Sequence, residues 1–185
     1  VYPHIGFDEM HFIDYFDQTK ILREYITDQE LYDKIIKRYE NRKNNEKLFF
    51  MGITMQNHGG YTETYDNFPE NYYKVGRSYT DANQYLSLVH ESDEAVKNLI
   101  SYFSKVDDPA EIIFFGDHQP SLNSNFYPIL NGKGLTGLTE DELEKLYTVP
   151  FFIWTNYDTP EETVDITSLD YLSTMALERA GIELP

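Results

Sequence analysis

The stretch Glu111-Ile112-Ile113-Phe114-Phe115-Gly116-Asp117-His118-Gln119-Pro120 runs a short apolar segment into a glycine, an aspartate and a histidine, and a proline ends it. It reads as a buried strand that delivers two metal-capable side chains at its carboxyl end, where open α/β sheets bind their ligands. A carboxylate and a neutral imidazole suit Mn2+, Mg2+ or Zn2+. Neighbouring side chains on a strand point to opposite faces. At a strand end that leads into a turn, however, Asp117 and His118 can converge, and Gly116 admits close backbone approach. The same pair is equally compatible with a turn-capping aspartate beside a histidine bonded to a loop carbonyl, and spacing alone leaves both readings open.

Working outward, residues 48–55 (Leu-Phe-Phe-Met-Gly-Ile-Thr-Met) form a continuous apolar run of strand length. Continuous burial predicts a parallel central strand covered on both faces. Gln56-Asn57-His58-Gly59-Gly60 follows it, and a long loop then runs to Gly76. If this strand lies parallel to the first, His58 stands on the same rim as Asp117 and His118, with two glycines leaving room for a ligand. The alternative is a structural loop histidine. A third strand, residues 150–155, starts at a proline. Between the strands, Thr27-Asp28-Gln29-Glu30 has the form of a capping box opening a helix from Asp28 to Arg42. Residues 78–104 carry a helical stripe of Ala82, Tyr85, Leu86, Val89, Val96, Leu99, Ile100 and Phe103. Asp93 falls on that stripe, where a carboxylate more often bonds a backbone group or a tyrosine than orients a ligand. Residues 121–137 read as a loop. Thr139-Glu140-Asp141-Glu142 and Thr167-Ser168-Leu169-Asp170 open two further helices, the last stopped by Gly181. Strand, helix, strand in this order predicts right-handed crossovers and a parallel sheet, hence an α/β fold.

The 185 residues suffice for one domain that buries ~70% of its extended surface. The net charge of −17, from 32 acidic against 15 basic residues, excludes phosphate-led nucleic-acid binding. It also argues against electrostatic adhesion to an anionic membrane, while leaving a cation site open. With no cysteine, disulfide scaffolds, thiolate zinc sites and cysteine nucleophiles are excluded. No apolar run has membrane-span length and no signal-peptide pattern opens the chain, which begins at Val1 and reads as a piece of something longer. No Gly-x-Ser-x-Gly elbow, phosphate loop or dinucleotide fingerprint occurs, so no nucleophile is evident. Two metal ligands without a third make an incomplete catalytic site.

Four segments, taken together, resemble a known family: Ile53-Thr54-Met55-Gln56-Asn57-His58-Gly59, Glu91-Ser92-Asp93-Glu94-Ala95-Val96, Phe114-Phe115-Gly116-Asp117-His118-Gln119-Pro120-Ser121-Leu122, and Val149-Pro150-Phe151-Phe152-Ile153-Trp154-Thr155-Asn156-Tyr157. In order and spacing they are similar to the sulfatase-type domain of lipoteichoic acid synthases and related phosphoglycerol transferases, in the alkaline phosphatase superfamily. The resemblance implies a three-layer α/β/α sandwich with a mostly parallel sheet, of which this chain is the carboxyl-terminal portion. It implies that Asp117 and His118 bind one divalent metal, Mn2+ or Mg2+ with Zn2+ as an alternative, held weakly or not at all by the isolated portion. It implies that His58, with Asn57 beside it, contacts the phosphate or headgroup of the substrate. The family's threonine nucleophile, acidic metal ligand and substrate-binding arginine belong to the amino-terminal half of the domain and have no counterpart here. The expected activity of the whole is threonine attack on a phosphodiester headgroup, followed by transfer of phosphoglycerol or phosphoethanolamine to an acceptor. The expected partners are a lipid-linked or polymer phosphodiester and the amino-terminal half of the domain. The expected setting is the bacterial cell envelope, outside the cytoplasmic membrane and tethered by upstream segments. A sulfatase, or a non-catalytic domain binding glycan or polymer through tyrosine-rich loops, is the alternative. A sheet edge exposed by the missing half predicts self-association of the fragment.

Overall fold

The computed structural model describes residues 2–44, 46–68 and 79–182, and the chain divides into two units: Val1–Leu99 with Pro120–Leu138, and Ile100–Gln119 with Thr139–Pro185.

In the first unit, β1 (Ile21–Leu22) and β2 (Tyr25–Ile26) pair antiparallel, Leu22 facing Tyr25, around the two-residue turn Arg23-Glu24. Helix α1 (Asp28–Glu40) follows at once, its first orphan N–H groups met by Thr27, whose hydroxyl accepts from Glu30 N at 3.2 Å. Only half of the expected capping box forms. The buried Glu30 carboxylate accepts instead from Asp17 N at 3.0 Å and pairs with Lys34 at 3.3 Å, fastening the lead-in chain to the helix.

Helix α2 (Thr80–Phe103) gives its residues up to Leu99 to the first unit and its last turn to the second. The expected start at Ser78, like most of the loop from Pro69 to Gly76, lies outside the described residues. The carboxyl-terminal half buries Val96, Leu99 and Phe103 as expected. Its amino-terminal half is turned by about one residue from the apolar stripe. Gln84, Ser87, Leu88 and Ser92 are buried, Val89 is 38% exposed and Asp93 is exposed. Polar side chains face inward there because Arg23, Asp28 and Gln56 are buried opposite them and need partners. An apolar cluster of Tyr61, Phe68 and Leu88 packs beside this polar layer, with Leu22, Tyr65, Tyr85 and Leu122 against it. The expected loop over 121–137 contains a short helix, α3 (Tyr127–Asn131), ended by Gly132 at φ +71°.

Residues 48–55 carry no regular secondary structure, contrary to expectation. The stretch touches α1 at Gly52, where an added Cβ would meet Leu31 Cδ2 at 3.0 Å. Phe49, however, is 77% exposed, and Met51, Ile53 and Met55 are exposed with it. A strand is defined by its ladder, and no described segment pairs with this run in one.

The second unit is built on β3 (Glu111–Phe115) and β4 (Phe151–Thr155), paired antiparallel from Glu111 opposite Thr155 to Phe115 opposite Phe151. Phe114 and Phe152 stack at 5.3 Å between centroids. Both strands match the sequence reading. The parallel pairing does not appear: among the described residues each sheet is two-stranded and antiparallel. The crossover rule presupposes that successive strands share a sheet, and residues 48–55 join none. Helix α4 (Glu140–Lys145) has the full reciprocal capping box of Thr139 and Glu142. Before α5 (Leu172–Arg179) it is Ser168, rather than Thr167, that caps a single 3-10 turn, and Gly181 at φ +71° ends the helix. The fold is mixed α/β. Among the described residues no helix is long and apolar enough to cross a membrane.

Candidate functional site

The four candidate residues fall in two units, Asn57 and His58 in the first, Asp117 and His118 in the second. In the second unit the β3 ladder continues one bond past the strand, Gly116 N donating to Pro150 O at 3.2 Å. An added Cβ at Gly116 would stand 3.2 Å from Val149 Cβ, so glycine is what lets the strand end lie against its neighbour. The chain then turns. Asp117 Oδ1 accepts from His118 N at 2.8 Å, and Gln119 Nε2 donates to Thr148 O, tying the turn to the segment before β4.

Both side chains are well exposed, and they converge: His118 Nε2 lies 3.6 Å from Asp117 Oδ2. His118 Nδ1 stands 2.9 Å from the Gln119 carbonyl. A carbonyl only accepts, so Nδ1 carries the proton, and in the neutral ring the lone pair sits on Nε2, beside the carboxylate. That is how metal-binding histidines are commonly prepared, with the far nitrogen bonded to a backbone carbonyl. Ligand bonds of about 2.1 Å to one ion accommodate donors 3.6 Å apart. The donor pair therefore fits a divalent cation in chemistry and spacing. Among the described residues no group of three or more His, Cys, Asp or Glu side chains completes it.

In the first unit, His58 is exposed in a tight loop closed by its own N–H, which donates to Met55 O at 3.0 Å. Its Nδ1 lies 3.1 Å from the Tyr25 hydroxyl. Asn57 is turned inward: its side-chain amide donates to Ser92 Oγ at 2.8 Å, while its backbone carbonyl accepts from the Tyr61 hydroxyl at 2.7 Å. Beneath the loop, Gln56 is only 2% exposed; its Oε1 accepts from Asp28 N at 3.1 Å, and its Nε2 donates to Ser92 Oγ at 3.2 Å. Ser92 in turn donates to Asp28 Oδ2 at 2.6 Å. Burial pushes the Asp28 carboxyl above the ordinary aspartate range, with the hydrogen bonds from Ser92 and Thr54 opposing it. Arg23, 4% exposed, closes the layer, bonding Gln84 Oε1 at 3.2 Å, Gln56 O at 2.8 Å and His58 O at 2.7 Å.

The sequence reading passed over Arg23 and Gln84, and gave Asp28, Gln56 and Ser92 no part in a buried polar layer. The available signal was the spacing of Gln84, Leu88 and Ser92, one row along α2 that looks too polar to be a core face. Asp93 is exposed and stands outside this network.

A family model described as Sulfatase matches residues 1–182. A protein of Rhizobium meliloti (strain 1021) named for cyclic beta-1,2-glucan modification is 26% identical over 193 residues, 100% of this chain and 30% of its own length. The capsular polysaccharide biosynthesis protein RkpI of the same strain is 32% identical over 124 residues, 66% of this chain and 21% of its own length. Among solved structures, the Streptococcus pyogenes phosphoglycerol transferase GacH, in complex with sn-glycerol-1-phosphate, matches with a TM-score of 0.68 at 20% identity, over 98% of this chain and 45% of that one. At that identity the likeness concerns the fold. The chain spans less than half the length of each of these proteins.

Proposed function

The chain belongs to the sulfatase family, and on that footing we propose that it is the carboxyl-terminal part of a metal-dependent enzyme acting on phosphodiester headgroups. The reaction proposed is transfer of phosphoglycerol or phosphoethanolamine to a cell-envelope acceptor, or hydrolysis of the same bond. The observation that carries this reading is the Asp117–His118 turn, with Nε2 prepared by the Gln119 carbonyl and set 3.6 Å from Oδ2. A bound Mn2+ or Mg2+ would supply charge neutralisation for an anionic ester. Asp117 and His118 would hold it, and the His58 ring would meet an anionic oxygen of the headgroup. The likeness to GacH supports the phosphoglycerol donor, and the two Rhizobium relatives support an envelope polysaccharide as the acceptor. The proposal includes an extracytoplasmic location. It also places residues 48–55 as a strand of the three-layer sandwich once the rest of the domain supplies a ladder partner.

Mn2+ titration of the 185-residue chain, followed by paramagnetic broadening of histidine ring signals, tests the metal assignment. Selective broadening of His118 that disappears in Asp117→Ala is expected. Broadening that ignores this substitution, or no Mn2+ binding by the protein that carries the whole domain, would sink it. In the protein that carries the whole domain, release of glycerol phosphate from a phosphodiester supports the transferase reading. Release of sulfate from a sulfate ester supports the rival within the family.

A further inference from the structure

We propose that the hairpin of residues 21–26 is a positioning device for the His58 imidazole, Arg23 anchoring the backbone of its loop and Tyr25 fixing the ring. The proposal rests on the reading that His58 meets an anionic oxygen of the substrate.

Arg23 is costly in two independent ways. It occupies the first position of a two-residue hairpin turn at φ +56°, the left-handed region, where glycine is the usual residue. It also buries a permanent cation: among the described residues no carboxylate pairs with it, and its Nε has no hydrogen-bond partner. A turn that only had to reverse the chain would use glycine and avoid both costs. What Arg23 does supply is specific. Nη2 holds the carbonyls of Gln56 and His58, on either side of Asn57, while Nη1 is braced by Gln84. The rings of Tyr25, Tyr61 and Tyr65 lie 5.4–6.0 Å from the guanidinium carbon, so the charge faces aromatic π systems. From the other side, Asn67 Nδ2 donates to Ile21 O at 3.2 Å and Arg23 O at 3.1 Å, which holds the turn in its unfavourable conformation. A strained residue that the surrounding structure over-determines is a mark of positioning.

Tyr25 completes the device. Two residues beyond Arg23, its hydroxyl meets His58 Nδ1 at 3.1 Å. When that hydroxyl donates, Nδ1 is the acceptor and the proton stays on Nε2. Among the described residues Nε2 has no bond of its own, so the ring offers one N–H donor, which suits an anionic ester oxygen. The hairpin thus sets both the place of the loop and the tautomer of the ring.

The test is 15N NMR of the histidine rings in the labelled chain at about pH 8.5, where imidazoles of ordinary pKa are neutral, with His58→Gln assigning the signals. The expected result is an unprotonated Nδ1 and a protonated Nε2 at His58. Tyr25→Phe, which keeps the ring and loses the hydroxyl, should move both nitrogens toward the averaged shifts of a tautomer mixture. The same variant should weaken binding of inorganic phosphate about fivefold, the equivalent of one hydrogen bond. Arg23→Gly suits the left-handed backbone and removes the anchor, so broadened or doubled His58 signals are expected from a chain whose circular dichroism is unchanged. A protonated Nδ1 in the wild type, or ring shifts that ignore Tyr25→Phe, would overturn the positioning role. His58→Gln without effect on phosphate binding would overturn the substrate contact, and with it the purpose assigned to the hairpin. The tautomer readout needs no activity, so the two failures are distinguishable.

Discussion

Asn156 offers the sharpest stability test, because one side chain ties the end of α2 and the start of β3 to the end of β4, all within the second unit. Its Nδ2 reaches three carbonyls, Phe103 and Val106 at 3.1 Å and Asp108 at 2.9 Å, while its Oδ1 accepts from Ala110 N at 2.8 Å. Two N–H groups shared among three acceptors count as two bonds, and the Ala110 contact is a third. At about 1 kcal/mol net each, and with the site half-buried so that water can relieve part of the loss, Asn156→Ala should cost about 2–3 kcal/mol. Asn156→Asp is the informative partner. It keeps the acceptor for Ala110 N but turns a carboxylate oxygen toward carbonyls that had faced a donor. The aspartate variant should therefore be less stable than the alanine variant at neutral pH, and should recover on acidification as the carboxyl gains an O–H to donate. The assay is urea unfolding followed by the fluorescence of Trp154, the chain's one tryptophan, which sits in β4 opposite Ile112. A loss of about 2–3 kcal/mol should lower the midpoint by about 1–2 M at an unchanged slope. If Asn156→Asp proves as stable as Asn156→Ala at neutral pH, the donors are not what holds this corner, and the reasoning fails.

Two further outcomes follow from buried charge and exposed apolar surface. Burial raises the folded-state pKa of Asp28, so its contribution to stability is complete below the ordinary aspartate range near about 4 and is lost as pH rises through the folded value. The side-chain amide introduced by Asp28→Asn can still accept from Ser92 and carries no charge to bury. The stability advantage of this variant over wild type should therefore grow with pH in urea titrations, and a pH-independent difference would refute the assignment. The exposed row Phe49, Met51, Ile53 and Met55 should make the chain self-associate, and Ile53→Lys should reduce this. Light scattering over a concentration series reads the effect, and a wild-type chain of constant monomer mass would count against it.

Some elements that the sequence announced are stabilised locally. The Thr139–Glu142 box and the stop at Gly181 are decided by groups a few positions apart, and each stands where the pattern places it; residues 111–115 form their strand because residues 151–155 supply the ladder. Residues 48–55 pair with no strand among the described residues. Their apolar continuity states a demand for cover on both faces, but whether a ladder forms depends on backbone supplied from elsewhere, which local composition cannot report. Thr27-Asp28-Gln29-Glu30 shows the same limit on a smaller scale. The threonine half of the box needs only the helix, and it forms; the glutamate half lost to Asp17, thirteen residues upstream.

The candidate site divides along the same line. The meeting of Asp117 and His118 could be anticipated because the turn after Gly116 brings adjacent side chains together; their bonds, Asp117 capping the turn and His118 on the Gln119 carbonyl, match the turn-capping reading as well as that of a metal pair. The surroundings of His58 come from four separate stretches: the hairpin at Arg23 and Tyr25, Asp28 at the head of α1, the loop at Gln56, and α2 at Gln84 and Ser92. No period or spacing links them. What joins them is a requirement of burial: once Arg23 and Asp28 are taken out of water they need polar partners, and the polar row of α2 turns inward to supply some of them, Arg23 Nε being left without one. Ser92 couples the two parts, since Asp28 and the Gln56–Asn57 loop use the same hydroxyl. Loosening either partner should therefore move the loop that carries His58, so the ring's tautomer reports on this layer beside the pH-dependent stability of Asp28→Asn.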